Sequence, residues 1–276
     1  MLTWVNGELL DESAATVSVF DHGLTVGDGV FETAKVVDGV PFALSRHIAR
    51  LGRSAAGLGL PAPDEAEVRK ACAEVVEQTR GAGLHRLRIT YTGGVSPLGS
   101  QRGDARPTLI VAVAPADEMP PATAVAVVPW PRNERGALTG LKSTSYGENV
   151  VALARARDLG ASEALFADTR GRLSEGTGSN VFVVMDGQVL TPSLDAGCLA
   201  GVTRALVLEW TEAVEADLEL DVLERADEIF LTSSTRDVQA VDAVLFDDRR
   251  RDLAPGPVTA RIAQTFAERS RADLDP

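Results

Sequence analysis

Strand-like and helix-like stretches follow one another along this chain without a steady strand-helix-strand beat, and that order constrains the fold more than any single motif. The start predicts a hairpin, because Trp4-Val5 and Glu8-Leu9-Leu10 flank Asn6-Gly7, a pair suited to the positive φ angles of a tight turn. A strand is predicted over residues 29–37, ending at the Asp38-Gly39 turn. Leu44, Ile48, Leu51, Ala55 and Leu58 then recur at helical spacing, and Asp64 opens a second helix. Residues 87–92 and 108–114 read as further strands, and Ala116-Asp117-Glu118-Met119-Pro120-Pro121 reads as a linker.

Beyond the linker, strands are predicted over 123–128, 164–167, 180–185, 188–190 and 228–231, and helices over 148–158, 202–213 and 256–271. Arg249-Arg250-Arg251 reads as a solvated loop. Runs of strands and helices without βαβ regularity predict an α+β architecture rather than a doubly wound parallel sheet. At 276 residues the chain suits one large domain or two smaller ones. Two are expected: a small domain over 1–116, a linker over 117–121 and a larger domain over 122–276.

Composition narrows the class of function. A hydrophobic share of 45% with 24% charged residues is that of a globular protein. The net charge of -13 argues against nucleic-acid or anionic-membrane partners, since phosphate repulsion would have to be overcome by a local basic patch. The N-terminal residues lack a basic region followed by an apolar stretch, and no apolar run approaches a membrane span, so a cytoplasmic protein is expected. Cys72 and Cys198 have no metal-ligand spacing, and His22, His47 and His85 are dispersed, so no metal site is expected.

Of the 27 Lys and Arg residues, only Lys35, Lys70 and Lys142 are lysines. Arginine bias alone accounts for such scarcity; so does retention of a lysine for chemistry. Lys142 lies in a polar stretch, Leu141-Lys142-Ser143-Thr144-Ser145-Tyr146-Gly147-Glu148-Asn149. It is followed by an acid in a glycine-rich turn, Ser174-Glu175-Gly176-Thr177-Gly178-Ser179-Asn180. An amine and an acid in such settings suit a carbonyl cofactor held as a Schiff base. Pyridoxal phosphate needs a lysine, an acid for the pyridine nitrogen and a cradle for the phosphate.

Leu199-Ala200-Gly201-Val202-Thr203-Arg204 offers the cradle, with a glycine before a helix and the Thr203 hydroxyl beside it; the same residues also suit a plain helix start. Thr232-Ser233-Ser234-Thr235 follows a buried strand and either lines a site or caps a helix. Arg50 is either a phosphate ligand or a surface arginine lying along its helix. No G-x-G-x-x-G, G-x-x-x-x-G-K or G-x-S-x-G pattern is present.

Taken in order, these segments resemble the class IV aminotransferases, the fold type IV pyridoxal-phosphate enzymes. That group includes branched-chain and D-amino acid aminotransferases and aminodeoxychorismate lyase. The resemblance runs from about Asp21 to Val241. Lys142 with Ser174-Glu175-Gly176-Thr177-Gly178-Ser179-Asn180-Val181-Phe182 carries it. Gly27-Asp28-Gly29-Val30-Phe31-Glu32-Thr33, His47-Ile48-Ala49-Arg50-Leu51, Gly197-Cys198-Leu199-Ala200-Gly201-Val202-Thr203-Arg204 and Phe230-Leu231-Thr232-Ser233-Ser234-Thr235 support it.

The resemblance implies a small N-terminal α/β domain and a larger C-terminal domain with the cofactor between them, in a homodimer. It implies that Lys142 forms the internal aldimine and shuttles the substrate proton, and that Glu175 pairs with the pyridine nitrogen. Arg50, Val202, Thr203 and Ser234 match positions that hold the phosphate, and Tyr146 matches a tyrosine placed near O3′. Phe31 and Thr33 match the strand that faces the substrate. Tyr91 stands where several D-amino acid transaminases place an arginine, and Thr235 with Arg236 matches the turn whose backbone receives a substrate carboxylate.

The expected reaction is transfer of an amino group between an amino acid or amine and a 2-keto acid. An aminodeoxychorismate lyase releasing pyruvate to give 4-aminobenzoate is the alternative, favoured by Phe31-Glu32-Thr33 and Pro97-Leu98-Gly99. Tyr146, where some lyases carry arginine, argues against it. A cofactor-binding protein with little turnover is a third reading.

Overall fold

The structure is a computed structural model that describes residues 1–81 and 83–276. The chain packs as two compact units, one of Met1–Glu118, Leu141–Ser145 and Asp273–Pro276, the other of Met119–Gly140 and Tyr146–Ala272.

The first unit contains β1 (Leu2–Val5), β2 (Glu8–Asp11), α1 (His22–Thr25), β3 (Gly29–Val37), β4 (Val40–Pro41), α2 (Leu44–Leu58), α3 (Glu65–Val76), β5 (Leu84–Thr92) and β6 (Thr108–Pro115). Its strands form one antiparallel sheet in the order β2-β1-β6-β5-β3-β4. Asn6 takes the left-handed backbone that the hairpin requires, at φ 47°. Helices α2 and α3 cover one face. There Val30, Ala34, Val36, Leu87, Ile89, Tyr91, Val111 and Val113 meet Ile48, Leu51, Ala55, Val68, Ala71 and Val75 in a buried core.

Side chains alternate across a strand, so pairing decides what shares the opposite face. Phe31 pairs with Thr90 and Thr33 with Arg88, which puts these four together; Tyr91 pairs with Val30 on the core side. The substrate-facing position expected of Tyr91 is therefore corrected. A shift of one residue along β5 gives that face to Thr90 and Arg88.

The second unit contains β7 (Ala122–Val127), α4 (Gly147–Asp158), β8 (Glu163–Ala167), β9 (Leu173–Gly176), β10 (Asn180–Met185), β11 (Gln188–Pro192), α5 (Val202–Trp210), β12 (Val214–Ala216), α6 (Val222–Arg225), β13 (Glu228–Ser233), β14 (Asp237–Leu245), β15 (Arg250–Asp252) and α7 (Pro257–Ala272). Its mixed sheet runs β12-β11-β10-β13-β14-β7-β8-β9, with β15 on β14. One core joins Val125, Leu165, Leu173, Val181, Val183, Ile229, Leu231 and Val241 to Leu223 of α6. On α4, Ala152 and Ala156 pack with Ala126, Val128 and Phe166.

β14 is a central strand without a clear sequence period: its apolar run is broken by Gln239 and Asp242, and its first residue, Asp237, sits at φ 51°. The arginine run is solvated at Arg249 and Arg250 but not at Arg251, which donates to the carbonyls of Leu223 (2.7 Å) and Ala226 (2.6 Å) and fastens β15 to the end of α6. No helix among the described residues is long and apolar enough to cross a membrane.

Candidate active site

In the first unit, the segment around Lys142 runs beside the start of β3. The Phe31 N–H donates to the Lys142 carbonyl at 2.9 Å, and the Thr144 N–H donates to Gly29 O at 2.8 Å. Lys142 N–H donates to the buried Ser54 hydroxyl of α2 at 3.2 Å. Its main chain is thus fixed on both sides, and its Nζ stands over the Phe31 ring, 4.4 Å from the centroid. The Arg88 guanidinium also lies over Phe31, at 3.3 Å, so two cationic groups meet one aromatic ring.

Arg50 is buried rather than lying on the surface. Its Nε and Nη2 reach the two oxygens of Glu32 at 2.8 and 2.7 Å, and His47 Nδ1 lies 2.7 Å from Glu32 Oε2. Burial alone would raise the Glu32 carboxyl; the Arg50 charge and the hydrogen bonds from Arg50 and His47 prevail and bring it to about 2. Glu32 falls in phase with Val30, Ala34 and Val36 on β3. That inward phase was a legible sign of a buried acid.

A second cluster ties down the β5–β6 connection. His22 Nδ1 is 2.8 Å from Asp28 Oδ2, and His22 Nε2 is 2.7 Å from Gly99 O. Arg102 grips the same carboxylate through Nε (2.7 Å) and Nη2 (2.6 Å) and also donates to the carbonyls of Leu58 and Gly59.

In the second unit, Glu175 stands near the end of β9, not in a free turn. Its Oε2 accepts from Leu199 N–H at 2.9 Å, and its Oε1 is 3.3 Å from Arg132 Nε. Arg132 also stacks on Phe166, 4.2 Å from the ring centroid, and donates to Asn149 Oδ1 at 3.1 Å. No sequence signal pointed to Arg132, whose partner lies 43 positions away. Leu199 continues the chain of contacts: its carbonyl takes Asn180 Nδ2 at 2.9 Å and Gly201 N–H at 2.8 Å.

Val202 and Thr203 open α5 after the N-cap Gly201, and no side chain caps the helix start. A Cβ on Gly201 would collide with Asn180 Oδ1, so glycine is required there for close approach. Ser234 lies in the turn between β13 and β14. The neighbouring Thr232 hydroxyl is buried with no hydrogen-bond partner among the described residues. An uncapped helix start, adjacent hydroxyls and an orphaned buried hydroxyl together fit a bound phosphate.

Tyr146 precedes α4, half-buried, with its carbonyl accepting from Val150 N–H at 3.0 Å. Arg236 differs from expectation. Its backbone N–H turns inward to Ser233, 3.2 Å from both O and Oγ, while its guanidinium binds Gln239 Oε1 and Ser162 O.

Residues 29–244 match the family described as amino-transferase class IV. A putative branched-chain-amino-acid aminotransferase of Methanocaldococcus jannaschii is 34% identical, over 97% of this chain and 96% of its own. The aminodeoxychorismate lyase of Bacillus subtilis is 32% identical, over 86% of this chain and 84% of its own. The fold IV transaminase of Curtobacterium pusillum superposes with a TM-score of 0.83 at 33% identity, covering 94% of this chain and 93% of that one.

Proposed function

This chain belongs to the class IV aminotransferases, and from that premise we propose that it moves an amino group between an amino acid or amine and a 2-keto acid with pyridoxal 5′-phosphate as cofactor. The observation that carries the reading is the fixed carboxylate of Glu175. It is held by Leu199 N–H and Arg132, in a segment that leads through Asn180 and Gly201 into the uncapped start of α5. An acid and an anion cradle linked this closely match the two ends of the cofactor.

Val202 and Thr203 would hold the phosphate through backbone N–H groups and the Thr203 hydroxyl, with Ser234 beside them. In the first unit Glu32 fixes the orientation of the Arg50 guanidinium, to which the family resemblance gives a phosphate-holding role. Glu175 would pair with the ring nitrogen, and Tyr146 would stand near O3′. When bound, the cofactor supplies an electron sink that acidifies the Cα–H of the attached amino acid.

The chain's own contribution is positioning and proton transfer. Lys142 is assigned as the general base: its fixed main chain presents Nζ to accept the Cα proton and return it when the second substrate is converted. Phe31 and Thr33 would form a wall of the substrate pocket with Thr90. Arg88 brings positive charge to that wall for a substrate carboxylate. Thr235 would supply the turn's backbone N–H.

Further, we infer a homodimer. Val19, Phe20 and Leu24 are exposed together with Val95 and Leu98, and Ser96 N–H joins the two segments by donating to Phe20 O at 3.1 Å. The cytoplasm is the compartment we assign. Cys72 and Cys198 are buried thiols, each pushed up to about 12 by burial.

Product analysis tests the reaction. Protein loaded with pyridoxal phosphate is given an L-amino acid, D-alanine or an (R)-amine with a keto acid, and separately aminodeoxychorismate. The new amino acid is the expected product. Rapid release of 4-aminobenzoate and pyruvate, with negligible amino transfer, would replace the transaminase by the lyase.

A further inference from the structure

Glu163 opens β8, ahead of the apolar Ala164-Leu165-Phe166, and is 2% exposed. A buried carboxylate persists only where donors surround it. Three of its four hydrogen bonds come from one short stretch, residues 176–179. Thr177 N–H donates to Oε1 at 3.0 Å, the Thr177 hydroxyl donates to the same oxygen, and the Ser179 hydroxyl donates to Oε2 at 2.9 Å. The fourth is Ala164 N–H at 3.1 Å.

The glycine-rich stretch after Glu175 therefore wraps an internal carboxylate. A Cβ on Gly176 would collide with Ser179 Oγ and lie 3.1 Å from Glu163, which explains a glycine immediately after Glu175. On its other side Glu163 meets the turn after β13: Arg236 Nη2 is 3.8 Å from Oε2. Asn149 holds the same stretch from a second direction, through Nδ2 to the Thr177 carbonyl and through Oδ1 to Arg132.

We propose that Glu163 is a positioning residue for the reaction: by gathering Thr177 and Ser179 around its carboxylate it fixes the end of β9 and so the direction of Glu175. The proposal rests on the assignment of Glu175 to the cofactor's ring nitrogen. Glu163 touches neither substrate nor cofactor and acts through the turn alone. A misplacement on the order of 1 Å at a reacting group lowers the rate by about a hundredfold, so a modest swing of this turn is enough to matter.

The test uses Glu163→Gln, which keeps the size and one acceptor oxygen but turns an NH2 group toward Ser179 and Arg236. Glu163→Ala, Ser179→Ala and Glu175→Gln complete the set. In the cofactor-loaded enzyme, Glu163→Gln is expected to lower kcat about tenfold to a hundredfold, with a shifted absorbance maximum of bound cofactor and a smaller change in KM. Added to Glu175→Gln, it should change kcat no further than about twofold, because the two residues act as one unit.

A Glu163→Gln enzyme with wild-type kcat and cofactor spectrum would overturn the proposal. So would effects that multiply in the double variant, or a loss confined to melting temperature. If Glu163→Ala does not fold, Glu163→Gln and Ser179→Ala still decide. A wild-type protein that binds no cofactor refutes the proposed function instead, and that outcome is read before any variant is compared.

Discussion

Glu32 sets the energetics of the buried Arg50–His47 cluster in the first unit. Its folded-state value of about 2 lies below the ordinary glutamate value of 4.5, so the unfolded chain takes up the proton first as the pH falls. The stabilisation is complete above about pH 4.5 and drains away toward pH 2. Thermal melts across that window should show a falling midpoint in the wild type and a flatter profile in Glu32→Gln. Glu32→Ala, which leaves Arg50 and His47 facing a hole, is expected to cost about 3–5 kcal/mol. Equal slopes in wild type and Glu32→Gln would show that the ion pair is not the acid-sensitive element. At this scale the sequence is legible where residue type is scarce or the setting local. Lys142 stands out among arginines, and Glu175 stands beside glycines. Arg132 and Glu163 do not stand out, since their partners are 43 and 14 to 16 positions away and only folding brings them together.

Elements were legible wherever a full apolar period was present. Residues 44–58 and 29–37 agree with α2 and β3, and residues 148–158 with α4 to within one residue. Register was not legible, because pairing between β3 and β5 depends on the sheet and not on either strand alone. Tyr91 therefore lies with Val30 in the core, while Arg88 and Thr90 share the opposite face with Phe31 and Thr33. The β5–β6 connection carries its own prediction. Both His22 ring nitrogens face acceptors, Asp28 Oδ2 and Gly99 O, so both carry protons in this arrangement. The hydrogen bonds that His22 donates to Asp28 and to the Gly99 carbonyl raise its value above 6.5, against burial and the Arg102 charge. The contribution is fully present below pH 6.5 and is lost as the pH rises through the raised folded-state value. Amide exchange in residues 94–102, corrected for its intrinsic pH dependence, should accelerate over that rise in the wild type. In His22→Asn it should be fast throughout, and pH-independent protection in the wild type would contradict the latch.

For the whole molecule, the order of strands and helices identified α+β architecture, and the ordered motifs identified the family. The division into units involves more than a linker. Leu141–Ser145 packs with the first unit because Lys142 and Thr144 hydrogen-bond to β3, more than a hundred positions earlier, a pairing that local pattern does not encode. The proposed homodimer is measurable: light scattering should give twice the chain mass for the wild type, and Leu24→Glu with Leu98→Glu, at exposed apolar positions, should halve it. A monomeric wild type would remove the dimer.

Cofactor attachment at Lys142 is the central prediction. Borohydride reduction of the cofactor-loaded protein, followed by peptide mass mapping, is predicted to place a single phosphopyridoxyl group on Lys142. A label on Lys35 or Lys70, or no label in protein that has bound the cofactor, would contradict it.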